Sequence, residues 1–143
     1  MVFTRFAGYF LQEFLIKLKS PIHNKESLAI LQPYQTGEIR DIFTEIPKEK
    51  LIELLNSNSA LKAKFIKFVK QTLAHAEATE ETLDFLGDKN LSIISTEDED
   101  RLVVLDPHHV YKTSDQENNS GERCQEKLKY LGEVVGELQK QRS

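Results

Sequence analysis

The chain has a single cysteine, Cys124, and no tryptophan. One thiol excludes an internal disulfide framework, and no C-x-x-C or Cys/His spacing of the zinc-binding kind occurs. A reducing, cytoplasmic setting is the expectation. No run approaches eighteen uninterrupted apolar residues, so no membrane-spanning helix is predicted. The six glycines stand singly. They supply neither a phosphate-cradling loop nor a dinucleotide fingerprint, and the G-x-S-x-G elbow and the H-E-x-x-H zinc motif are missing too. The sequence therefore points to a non-catalytic protein with no cofactor and no metal.

At 143 residues the length suits one domain, large enough to bury about two-thirds of its unfolded surface. The net charge of −4 hides an asymmetry: residues 1–75 hold 11 basic against 7 acidic residues, and residues 76–143 hold 8 against 16. Such polarity fits a basic binding face beside an acidic half, or two solvated surfaces that attract each other.

The strongest pattern is Asn58 to Ala76. Leu61, Phe65, Phe68, Thr72 and Ala76 recur at steps of three and four, and Ile66, Val69 and Leu73 widen the stripe, so one broad helical face is apolar. An isolated helix of this length is marginal, so its flanks must pack on it. Upstream, Pro47 suits a first helical turn and Leu51, Leu54 and Leu55 mark a buried side, predicting a helical hairpin over residues 47–76.

Further helices are expected from Phe3 to Leu18, stopped at Ser20-Pro21, after the cap candidates Asn24 and Thr36, and from Glu80 to a cap at Gly87. The Phe-rich first helix has the composition of an interfacial membrane helix, but Glu13 opposes anionic lipid and the body needs its apolar side as core. The period changes at Leu91–Ser95 and Arg101–Leu105, β-branched runs around an acidic tip, Glu97-Asp98-Glu99-Asp100, which predict a hairpin. Residues 112–122 contain no apolar side chain and read as a polar linker. The expected architecture is thus mainly α. A helical domain over residues 1–111, with its β-hairpin at about 91–105, is followed by that linker and by a C-terminal amphipathic helix over residues 123–143.

Three groups of residues are candidate sites. In the C-terminal helix Cys124, Leu128, Leu131, Val135 and Leu138 form a short heptad seam that must be covered by the body, by a second copy, or by another protein. The seam makes an adaptor or assembly subunit, binding another protein or itself, the leading expectation. The alternative is a nucleic-acid-binding accessory protein using Lys62, Lys64, Lys67 and Lys70, a stripe able to follow phosphates without reading bases. Asp106-Pro107-His108-His109 brings imidazoles and a carboxylate together, but adjacent histidines point apart and no third ligand is in sight. The acidic tip lacks the alternating ligands and central glycine of a calcium loop.

Overall fold

The helical hairpin forms where the apolar stripe places it. In the computed structural model, which describes residues 9, 14–19, 26–31, 35–106 and 109–140, Pro47 precedes α1 (Lys48–Ser57) and Asn58 separates it from α2 (Ser59–Thr79). The Asn58 side chain accepts the Leu61 N–H at 3.0 Å, satisfying a first-turn donor that the helix itself cannot pair. Glu80 ends α2 in the left-handed conformation, φ 57°, with its N–H returned to the Ala76 carbonyl.

Elsewhere the architecture departs from a mainly helical bundle. The molecule is mixed α/β, and its described strands form three small antiparallel sheets. β1 (Phe14–Lys19) pairs with β2 (Glu26–Leu31), where helices were expected at both places. The apolar run at 14–18 is too short for its period to separate helix from strand, and long-range pairing decides. Residues 3–11, which carry the rest of the expected first helix, lie outside the described residues except Tyr9.

The expected helix after Thr36 is instead β3 (Glu38–Asp41), and the one opening at Glu80 is β4 (Glu81–Leu83). In both cases an aspartate takes backbone N–H groups that a helix would have used. Asp41 Oδ1 accepts from Phe43 N and Thr44 N at 2.7 and 3.0 Å, and Asp84 Oδ1 accepts from Leu86 N and Gly87 N, each at 2.9 Å.

The predicted hairpin is present as β5 (Leu91–Ser95) and β6 (Asp100–Val104), and β3 joins it to give the order β3-β5-β6. Leu91 and Ile93, with Leu102 and Val104 opposite, face the main core, while Ile94 and Val103 are buried on the other face beside Ile39 and Leu105. A sheet buried on both faces reads as a continuous apolar run instead of an alternating one. Gly37, at φ 103°, directly precedes β3 at a place where a Cβ would lie 2.4 Å from the Ser95 carbonyl oxygen, so only glycine fits.

β7 (Val110–Lys112) pairs with β4, and the chain then turns through a 3₁₀ segment, Glu117–Asn119, into α3 (Ser120–Lys140). The turn is tied down by Thr113 N–H to the Glu80 carbonyl at 2.8 Å and Gly121 N–H to the Asp115 carbonyl at 2.9 Å. One hydrophobic core joins α1, α2, the inner face of β5 and β6, and α3.

Candidate functional site

The seam on α3 is covered by the chain's own body. Cys124, Leu131 and Leu138 are fully buried, Leu128 and Val135 nearly so, and Leu128, Leu131, Val135 and Leu138 share the core with Phe65 and Leu55. Val134, outside the seam as counted in heptads, is fully buried as well, because α3 meets helices on one side and β7 on another. At its rim Lys48 Nζ reaches Glu137 at 2.6 Å and Glu133 at 3.4 Å. The Glu137 hydrogen bond is the main cause that holds the Lys48 ammonium above its ordinary pKa. Lys127 Nζ stands 4.3 Å over the Phe43 ring, closing the same seam from the sheet side.

Burial pushes the Cys124 thiol up to about 11, with Asp84 adding to the effect. A thiol this far above neutrality is not a nucleophile in the folded protein. It behaves as a small core residue.

The lysines of α2 point the other way. Lys64, Lys67 and Lys70 are exposed and pair with no carboxylate among the described residues, whereas Lys50 and Lys89 each pair with one and Lys48 with two. Lys62 differs from the three: it is half-buried and its ammonium donates to Asn56 Oδ1 at 2.6 Å. Beside two of these lysines lies a depression of about 430 Å³, with Ala63 and Ile66 as its apolar floor and Lys67, Lys70 and Gln71 around it; Lys64 lies outside its lining. Phe65 and Phe68 are fully buried beneath, Phe68 meeting Tyr9 edge-on at 4.9 Å.

The remaining candidates are not brought together. Among the described residues no three His, Cys, Asp or Glu side chains converge as a metal site. His109 leans on Tyr111 at 4.5 Å between ring centres, and His108 lies outside the described residues. At the acidic tip Thr96 closes the turn, its N–H bonding the Glu99 carbonyl at 2.9 Å while Glu97, Asp98 and Glu99 face solvent.

A feature that no motif signals is a cavity of about 350 Å³ where β7 passes the start of α3. Leu86 and Val110 give it an apolar side, the His109 and Tyr111 rings a flat one, and Arg123, Asp115 and Glu117 its charges. Burial, then the charge of Asp84, raises the Tyr111 phenol above its ordinary pKa, so the ring presents a neutral hydroxyl. The residues come from three separate segments, and no local spacing could have linked them. Among the described residues no helix is long and apolar enough to cross a membrane. Comparison with protein-family models, with curated proteins and with solved structures finds no match to this chain.

Proposed function

We propose that this chain is a non-catalytic, cytoplasmic protein-binding module that takes an acidic partner segment on the outward face of α2. The observation that carries the reading is the run of exposed lysines, Lys64, Lys67 and Lys70, unpaired among the described residues on a protein of net charge −4. A cationic strip on an acidic molecule steers acidic surfaces and excludes basic ones. The apolar floor of Ala63 and Ile66 supports a peptide over nucleic acid, since it accepts an apolar side chain flanked by carboxylates. Phe65 and Phe68, the rings nearest the lysines in sequence, are buried and leave no platform on which bases would stack. The C-terminal seam, occupied within the core, leaves α2 as the face with contacts to offer.

The test is a salt titration of binding by fluorescence anisotropy, with a Glu-rich amphipathic peptide and a DNA duplex of mixed sequence as probes. Saturable peptide binding that disappears in Lys64→Gln/Lys67→Gln/Lys70→Gln, with its melting curve unchanged, is expected. Preferential duplex binding with a log–log salt slope of about −2.7, as contact of three lysines with phosphate implies, would transfer the face to nucleic acid. Absence of binding to both probes at low salt would remove the proposal.

A further inference from the structure

α2 carries its charges in an order that the helix by itself does not favour. Lys64, Lys67 and Lys70 lie in its first half, its first turn holds no acidic residue, and its last turn holds no basic one. Glu77 stands in that last turn and Glu80 follows as the C-cap, both exposed and in no ion pair with a described residue. Aligned peptide dipoles favour the opposite order, with anions at the start of a helix and cations at its end. The order weakens the isolated helix, and an antiparallel neighbour with the same order relieves it.

The same face permits close approach. Ala63, Lys67, Lys70, Ala74 and Glu77 follow one another at steps of 4-3-4-3, the spacing of a two-helix seam, and Ala63, Ala74 and Ala78 are exposed. Set antiparallel about a two-fold axis level with Thr72, that spacing brings Lys67 opposite the Glu77 of a second copy and Lys70 opposite its Ala74. Ala78 of the second copy, with Glu77 and Glu80 on either side, then comes over the depression floored by Ala63 and Ile66. Gln71 lines the same depression, and its Oε1 is buried without a hydrogen-bond partner. It lies beside the axis, next to the Gln71 of the second copy, whose amide N–H is a donor for it.

We propose that the outward face of α2 recognises itself, the acidic end of α2 from a second copy of this chain docking antiparallel along the lysines of the first. This rests on the reading of the face as a docking site for an acidic segment, and it names that segment. Each copy contributes the same patch, so the contact closes as a dimer and does not propagate. About four helical turns make a contact at the small end of specific interfaces, and its charge pairs lie at the surface, so the dimer is weak and sensitive to salt.

Sedimentation equilibrium of the full chain from about 10 μM to about 1 mM, at low and at high salt, measures the association. Lys67→Glu and Glu77→Lys, both at exposed positions, each set like charges opposite one another twice in the dimer, and each should weaken it at least about tenfold. An equimolar mixture of the two variants restores both pairs in the heterodimer and should associate as the parent does, a recovery that variants damaged in folding would not show. A parent that stays monomeric at low salt overturns the inference, and so does a dimer indifferent to both substitutions or a mixture that fails to associate. A monomer that still takes the Glu-rich peptide removes the second copy alone and leaves the lysine face its acidic partner, whereas a monomer that takes no peptide removes both readings.

Discussion

Asp41 shows how much a single buried carboxylate can organise. Besides the two N–H groups of its own turn, its Oδ2 accepts Lys89 N–H at 2.9 Å, fastening the end of β3 to the loop that enters β5. Asp41→Ala leaves three donors without a partner, and a loss of about 2–4 kcal/mol in a urea titration is expected. Two glycines make an opposed pair. At Gly121 a Cβ would lie 2.5 Å from both the Asp115 and the Thr113 carbonyl oxygens, whereas at Gly136 nothing lies within 4 Å. Gly121→Ala should therefore destabilise by about 1–3 kcal/mol, and Gly136→Ala should stabilise by up to about 1 kcal/mol through helix propensity. Equal effects in thermal melts would contradict the packing described. Cys124 has a pH signature. Its folded pKa, about 11, lies above the ordinary 9.0, so the folded state holds the proton more tightly. The thiol's contribution should be full below pH 9 and fall as pH rises toward 11, so Cys124→Ala should make the alkaline decline shallower, leaving the part due to the raised tyrosines.

At the scale of elements, the helices were legible in the sequence and the sheets only partly so. The stripe of α2, Leu61 to Ala76, is a local pattern whose meaning needs no distant partner, and Pro47 and Asn58 mark the boundaries on the chain itself. β3 carries no such pattern. Its partner is β5, with Ile39 opposite Ile94, and a four-residue strand with one buried residue, Asp41, gives periodicity nothing to register. The cavity was illegible for the same reason, since Leu86, Tyr111 and Arg123 meet only once β4 and β7 have paired. The exposure of Lys64, Lys67 and Lys70 followed from the apolar stripe opposite, whereas nothing local marked Lys62 as half-buried and bonded to Asn56. α3 belongs to the common core through Leu128, Leu131, Val134, Val135 and Leu138. Deleting residues 120–140 should therefore abolish the cooperative thermal transition, instead of releasing a tail from an intact body. A deletion variant with the melting curve of the full chain would refute the covering of the seam.

For the whole molecule, one core spanning α1 to α3 predicts a single unfolding transition, with far-ultraviolet circular dichroism and tyrosine fluorescence coinciding. Phe68, fully buried and within ring contact of Tyr9 and Phe85, sits near its middle. Phe68→Ala should lower stability by about 3–5 kcal/mol, a large share of the roughly 5–15 kcal/mol of an ordinary domain. The charge asymmetry of the sequence is carried by exposed lysines, Lys64, Lys67 and Lys70, along α2 and by exposed carboxylates at the β5–β6 tip.

The placement of α3 has a consequence for biosynthesis. β3 acquires its neighbour only when the chain has been made as far as β5, and the core is closed only when Leu138 has arrived. While a ribosome is still extending the chain, α1 and α2 stand with Leu55, Phe65 and Phe68 uncovered, and such surface is prone to aggregation. The core is thus completed by the last of its described elements, and until α3 is made the apolar faces of α1 and α2 that it covers have no cover from it.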